Sequence, residues 1–321
     1  MKEKIYKYLV GIWCPTFNQS IYILDTLNSF VIQETNFPFI AMVVDDASTD
    51  GEQEVIRKFV SEQFDLDDTN VAYEKETDYA HITYAQHKTN KNCYIVVLYL
   101  KENHYSQRKP KVPYLSEWRD YIKYEAPCEG DDYWIHPKKL QQQADFMEKN
   151  LNATLCFHAH TIINATTGNI FKIHQYSENI MDVPKKDMIL GGGGFMATNS
   201  MFYRVDSIKN YPSWTSLSLV GDAPLMMVLL HRGNVIYINE NMSVYRQNAI
   251  GSWSSKNISN FKRVQTNHYA TIKTWKEFDK WSNNEYHSEI KKKLLKNKIA
   301  YYKCYIKYIC DKIGINIPHF H

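Results

Sequence analysis

Three carboxylates stand within four residues at Glu129-Gly130-Asp131-Asp132, followed at once by Tyr133-Trp134. Carboxylates this close repel one another, and burial in one loop is tolerated when a cation or a proton offsets the charge. An oxygen-only donor set suits Mg²⁺ or Mn²⁺ and suits Zn²⁺ or Cu²⁺ poorly. Such ions complete their shell with substrate phosphates. A solvated acidic turn is the plainer alternative, and the aromatic pair argues against free solvation. Asp222 lies in Val220-Gly221-Asp222-Ala223-Pro224, at the start of a helical pattern. There it reads either as an N-cap or as a general base presented at a helix start.

Two more clusters follow apolar runs. Pro15-Thr16-Phe17-Asn18 is one, and Asp45-Asp46-Ala47-Ser48-Thr49-Asp50-Gly51 is the other. Aspartate at the carboxyl end of a parallel strand lies where open α/β sheets bind ligands, and it can accept hydrogen bonds from a nucleobase or ribose. The same residues also make an Asx-rich turn with Asp50 as a helix cap. The run Gly191 to Gly194 lets backbone approach a ligand or flex, and is expected to be mobile without one. Neither G-x-G-x-x-G nor a following Lys-Ser/Thr is present, so it is not read as a phosphate cradle. Residues 101–117 form a basic loop whose Lys109 and Lys111 read as solvated or as partners for a diphosphate. His158 and His160 share one strand face without a third soft ligand nearby, which favours hydrogen bonding over metal binding.

These residues need strand ends and helix starts to hold them. Tyr8–Cys14, Phe39–Val44 and Tyr94–Leu100 read as buried strands. A helix capped by Asn18 or Ser20 is predicted between the first two, with Ile21, Ile23, Leu24, Leu27, Phe30 and Val31 inward. A second follows Asp50 with Val55, Phe59 and Val60 inward. Residues 64–92 are polar and Tyr/His-rich, and read as an excursion on the sheet. Tyr124–Cys128 runs into the acidic motif, and Pro137 opens a helix with Leu140, Ala144, Phe146 and Met147 inward. Thr154–Ala159 and Val235–Asn239 read as strands, with Gly168 as a hairpin turn; Ala223–Leu230 reads as a helix. The alternation points to an α/β fold with a mostly parallel sheet flanked by helices.

From about Ser259 the pattern becomes helical, and Leu295, Ile299, Tyr302, Ile306 and Ile309 form an apolar stripe at spacings of four and three. That stripe reads first as packing against the body and second as a contact with an anionic membrane. Residues 256–321 hold 14 Lys/Arg against 5 Asp/Glu, within a chain of net charge +3. This divides the sequence into a body, 1–255, and a basic helical extension, 256–321. The acidic body argues against nucleic-acid binding. Glycine is scarce, 12 of 321 residues, which excludes collagen-like and linker-like chains. Six cysteines without a C-x-x-C pair, and no leader pattern, point to a reducing, cytoplasmic setting. No apolar run reaches the ~18 residues of a membrane span.

Taken in order, these motifs resemble the inverting family 2 glycosyltransferases of GT-A fold, bacterial type, from about Val10 to Trp253. Pro15-Thr16-Phe17-Asn18 looks like that family's P-[ST]-[YF]-N, and Val43 to Gly51 is similar to its V-V-D-D-x-S-x-D-G. Glu129-Gly130-Asp131-Asp132 stands where the family has its metal-binding acidic motif, and Gly221-Asp222 where it places its base. The resemblance implies a GT-A-like nucleotide-diphospho-sugar transferase fold. It implies a nucleotide-sugar donor, a UDP-sugar above others, and a saccharide or lipid-linked saccharide acceptor in surface polysaccharide or lipopolysaccharide synthesis. Pro15, Thr16, Phe17, Asn18, Asp46, Ser48 and Asp131 would then bind the nucleotide. Asp132, Asp131 and Glu129 would bind Mg²⁺ or Mn²⁺, and Asp222 would be the catalytic base. Gly193, Gly194, Thr198 and Asn199 would shape the acceptor side, with Lys109 and Lys111 at the diphosphate. Glu129 replaces the family's commoner Asp, and Asn248 stands where relatives often carry a His, so no protein ligand is assigned at that position. A non-catalytic nucleotide-sugar-binding module and a sugar nucleotidyltransferase are the rival readings; the second lacks its usual Gly-rich N-terminal loop.

Overall fold

The computed structural model describes residues 5–250 and 260–315. Gly251, Trp253, the 255/256 boundary, His319 and His321 lie outside them. In chain order the elements begin with β1 (Tyr8–Thr16), α1 (Ile23–Val31), β2 (Phe39–Asp45), α2 (Glu52–Gln63), β3 (Phe64–Asp65), β4 (Tyr73–Glu76), β5 (Ala80–His87) and β6 (Cys93–Leu100). A 3₁₀ turn leads into α3 (Ser116–Arg119), β7 (Ile122–Pro127), β8 (Tyr133–Trp134), α4 (Lys139–Lys149), β9 (Ala153–Asn164), β10 (Ile170–His174) and β11 (Met181–Asp182). The remainder is α5 (Lys185–Gly191), β12 (Phe202–Arg204), α6 (Asp222–Arg232), β13 (Asn234–Gln247), α7 (Phe261–Trp281) and α8 (His287–Lys312).

Among the described residues the strands join one mixed sheet in the order β11-β13-β9-β12-β7-β1-β2-β6-β5-β3. Its centre is parallel: β1 lies between β2 and β7, and β2 continues to β6. The long β9 and β13 also run parallel. β2 is a continuous apolar run because both its faces are covered. Phe39, Ala41 and Val43 join the core under α1, α2 and α4, while Ile40, Met42 and Val44 join a second core with Leu115 and Trp118. A third core, around Phe157, Met188, Met226 and Tyr237, takes in Trp275 and Phe278 of α7 and Ile290 of α8. No helix among the described residues is long and apolar enough to cross a membrane.

Three expectations change. The segment 64–92, expected as an excursion on the sheet, is a full part of it, since β5 is a mostly buried strand paired antiparallel with β6. Its apolar Ala80, Ile82 and Tyr84 alternate with His81, Thr83 and other polar residues, so composition hid the period of two. Second, neither Asn18 nor Ser20 caps α1. Tyr22 occupies that position without a side-chain cap, and Ile21 and Leu24 are exposed while Ile23, Leu27 and Phe30 are buried. Third, the stripe on α8 does not pack on the body: Leu295, Ile299, Tyr302, Ile306 and Ile309 are all exposed.

Candidate functional site

Strands β1 and β2 end level, with Pro15 beside Val44 and Thr16 beside Asp45, so the two motifs that follow them are neighbours. Glu52, the first residue of α2, fastens them. Its fully buried carboxylate accepts hydrogen bonds from the Thr16 hydroxyl, from the Gln19 amide at 2.9 Å and from Ser48 Oγ at 2.7 Å. Asn18, at φ 54°, accepts from the Thr49 amide through Oδ1, 2.8 Å, and its own amide donates to Ser48 Oγ, 2.9 Å. Asp50 accepts from the Ser20 amide and the Glu52 amide. Ala47 is held at φ 61°, a left-handed conformation that costs a non-glycine residue energy and persists where surrounding bonds fix it. Thr16, Asn18 and Ser48 thus spend side-chain polar atoms on building this wall, while the rings of Pro15 and Phe17 are half-buried.

Asp46 differs from expectation. It is completely buried, and its carboxylate accepts from the amides of His104 (2.7 Å) and Tyr105 (3.0 Å) and from Lys111 Nζ (2.9 Å). Its oxygens clasp the basic loop instead of standing open to a base. Of the two lysines expected near a diphosphate, Lys109 pairs with Glu102 on the surface. Lys111 is the one whose charge reaches the acidic motif, where it acts on Glu129.

The acidic turn follows β7. Gly130 packs so closely on Thr16 that a β-carbon there would overlap its side chain. The Gly130 amide donates to Pro15 O at 3.2 Å. Thr26 of α1 shares its hydroxyl proton between Gly130 O and Asp132 O. Arg246 of β13 supports the other side. Its amide donates to Asp132 Oδ1 at 2.8 Å, and its guanidinium donates to Asp131 O at 3.0 Å, pairs with Asp25 and lies over the Tyr133 ring. The Gly130→Ala variant should lose about 1–3 kcal/mol of stability, since the forced contact is overpacking against a hydrogen-bonded side chain. A urea midpoint equal to the parent's would show that the turn yields freely.

Carboxylate oxygens of Glu129, Asp131 and Asp132 lie within 4.8 Å of one another. Asp132 Oδ2 is buried without a hydrogen-bond partner among the described residues. All three acids are pushed up. Glu129 is open to solvent as a residue, yet crowding at its carboxylate and then the charges of Asp131 and Asp222 raise it to about 8. Burial raises Asp131, and burial together with the charge of Asp131 raises Asp132 well above the carboxylate range. An orphaned buried carboxylate oxygen beside two further hard donors fits a divalent cation, and no His or Cys donor belongs to the group.

Asp222 is the first residue of α6, with Gly221 at the cap position, so it is not the N-cap. Its carboxylate accepts from the Ala223 amide at 2.7 Å, and burial raises its pKa. Its charge is close enough to act on that of Glu129. The glycine run completes α5 and continues into a 3₁₀ turn over Gly192–Gly194. It is a formed turn, and Gly193 and Gly194 are exposed. Gly193 lies against Ala223, and Lys293 of α8 donates to Gly191 O at 2.8 Å. Thr198 is half-buried beside this turn. Asn199 is fully buried, its amide used by Ser243 Oγ and Val244 O, so it serves as wall and not as a contact on the acceptor side. His158 Nδ1 lies 2.8 Å from Ala159 O.

Glu52, Thr26 and the roles of Arg246 escaped sequence reasoning. Glu52 had one visible signal, an acid at the first position of a helix just after Gly51; Thr26 and Arg246 are brought in from distant chain positions.

The central parallel strands, the acidic turn after β7 and the flanking helices make the fold GT-A-like. Solved structures carry the same fold. TarS of S. aureus, residues 1–349 in complex with UDP, aligns with TM-score 0.51 and 16% identity over 82% of this chain and 64% of that one. The same protein with UDP-GlcNAc gives 0.53 and 16%, over 82% and 66%. No family model matches the chain. In sequence it is 26% identical over 251 residues to the uncharacterized proteins Rv1520 of Mycobacterium tuberculosis and Mb1547 of Mycobacterium bovis, covering 75% of this chain and 59% of each relative. The chain therefore spans about three fifths of the length of the curated relatives it matches.

Proposed function

We propose that this chain is an inverting, metal-dependent glycosyltransferase of the family 2 type. Residues 1–255 form the transferase unit and 256–321 the basic extension. It moves a sugar, in our reading a hexose from a UDP-sugar, to a hydroxyl of a saccharide or lipid-linked saccharide during bacterial surface polysaccharide synthesis. The work is done in the cytoplasm. One observation carries the reading: Glu129, Asp131 and Asp132 gather carboxylate oxygens within 4.8 Å of one another, with Asp132 Oδ2 buried and unpartnered among the described residues, and the candidate base Asp222 is close enough for its charge to act on Glu129. The likeness of fold to TarS solved with UDP-GlcNAc supports the choice of donor class.

Pro15 and Phe17 offer apolar surface to the nucleoside. Glu129, Asp131 and Asp132 would hold Mg²⁺ or Mn²⁺, which when bound offsets charge developing on the leaving diphosphate. Lys111, tethered by Asp46, adds positive charge at the same edge. Asp222 accepts the proton of the acceptor hydroxyl as its oxygen attacks the anomeric carbon. The new glycosidic bond forms on the face opposite the departing nucleoside diphosphate, which inverts the configuration. Gly193 and Gly194 leave backbone alone on the acceptor side.

Thermal shift against nucleoside diphosphates with Mn²⁺, followed by product analysis, tests this. Stabilisation by a nucleoside diphosphate only with the cation, then release of that diphosphate and a glycoside of inverted anomeric configuration, is the expected result. Pyrophosphate release indicates a nucleotidyltransferase, and binding without any single-turnover chemistry indicates a binding module.

A further inference from the structure

The outer face of α8 has no partner among the described residues. Leu295, Ile299, Tyr302, Ile306 and Ile309 are between 37% and 59% exposed, and Ile313 just beyond the helix is 63% exposed. Spacings of four, three, four, three and four keep all six within an arc of about 80°. The opposite side of the helix faces the body, where Ile290 is buried and Lys293 is latched to the α5 carbonyls. The stripe is therefore a second apolar face, not the edge of the first. Tyr269 of α7, also exposed, extends it across a shallow groove that Leu295, Lys298 and Tyr302 help to line.

Charge frames this face. Helix α8 carries eight lysines against Glu289 and Asp311 alone. By helical geometry Lys292, Lys296 and Lys303 fall along one shoulder of the stripe, and Lys291 and Lys298 along the other. An apolar stripe between lysine shoulders, on a helix too polar to span a bilayer, is the pattern of an in-plane interfacial helix. Tyr302 and Tyr305 suit the headgroup boundary, and each lysine near the surface gains from anionic lipid. A second copy is the poorer match. A twofold contact through the stripe would set lysine shoulder against lysine shoulder, with two acids on each helix to answer them. A polyanion such as nucleic acid would meet the lysines and leave the stripe in water.

The geometry points to α8 as a peripheral docking face for an anionic bilayer. The stripe begins within a turn of Lys293, which holds Gly191, so the glycine turn lies about one helix diameter, ~10–12 Å, behind that face, and Asp222 follows beyond it, next to the Ala223 that Gly193 touches. The acceptor class follows, and this step rests on the transferase reading: a lipid-linked saccharide whose reacting hydroxyl stands a short way off its anchor.

Co-sedimentation of the full chain with phosphatidylcholine vesicles, with and without about 30% phosphatidylglycerol, tests the docking apart from any transfer assay. Binding is expected to the anionic vesicles only, and to weaken as salt rises. Ile299→Asp with Ile306→Asp, both at exposed positions, should weaken it about ten-fold or more, and Lys298→Glu with Lys303→Glu should remove the preference for anionic lipid. Unchanged melting temperatures confirm that the variants fold. Equal binding to neutral vesicles, parental binding by both variants, or a dimer that the aspartate pair dissolves without any vesicle binding would each overturn it. The acceptor step is read separately, as a rate advantage for an acceptor presented in vesicles over its detergent-free soluble glycan; if donor turnover is absent altogether, the transferase reading fails while vesicle binding stands.

Discussion

The Asp222→Asn variant should transfer sugar about 10²–10⁴-fold more slowly, the range a positioned general base contributes, with nucleoside diphosphate affinity within about two-fold of the parent. The amide keeps the shape and can still accept from the Ala223 amide, so the first turn of α6 is preserved. What it loses is the capacity to take a proton. The pH dependence of transfer follows with a definite sign. The base works deprotonated, and burial raises its pKa. Rate is therefore lost as pH falls through a value above that of an ordinary aspartate, and this acid limb should vanish from the residual rate of the variant. Single-turnover transfer beside calorimetry of donor binding separates the two quantities. Parental turnover by the Asn variant sinks the assignment.

Asp132→Asn should produce two changes of opposite direction. Donor binding that depends on Mn²⁺ should weaken about 100-fold or more, because a charged hard ligand becomes a neutral one. In the absence of metal the same variant should be more stable, by about 1 kcal/mol, since it removes a buried carboxylate that its neighbours Asp131 and Glu129 repel. The Arg246 amide can still be accepted by the side-chain oxygen. Calorimetry with Mn²⁺ and urea unfolding in a chelator read the two effects. Unchanged calorimetric affinity would take Asp132 out of the cation site, and a loss of apo stability would mean the carboxylate is a structural asset on its own.

Much of the frame was legible because its signals are local. The apolar runs that became β1, β2 and β6 announce themselves by composition, and the acidic turn by three carboxylates within four residues. Asp222 was legible as a candidate but not as a neighbour of Glu129, 93 positions earlier in the chain; only the folded sheet brings α6 to the end of β7. The same limit hid Arg246, whose amide and guanidinium reach back to the acidic turn. Asp46 misled for a different reason. A motif tells which residue stands at a strand end, but not which distant loop fills its carboxylate, here His104 to Lys111. Asn199 misled because a polar residue beside glycines looks available, whereas here both ends of its amide are consumed inside the wall.

Gly130 packed on Thr16, with Glu52 fastening Thr16 to Ser48, has a thermodynamic consequence. The wall that would receive a nucleoside and the turn that would receive a cation have no compressible layer between them. A ligand that tightens one must bias the other, and such coupling is reciprocal by linkage: whatever factor the cation adds to nucleotide affinity, the nucleotide adds to cation affinity. Enlarging Gly130 would then do more than strain the fold. It would insert slack between two equilibria that the native backbone holds as one.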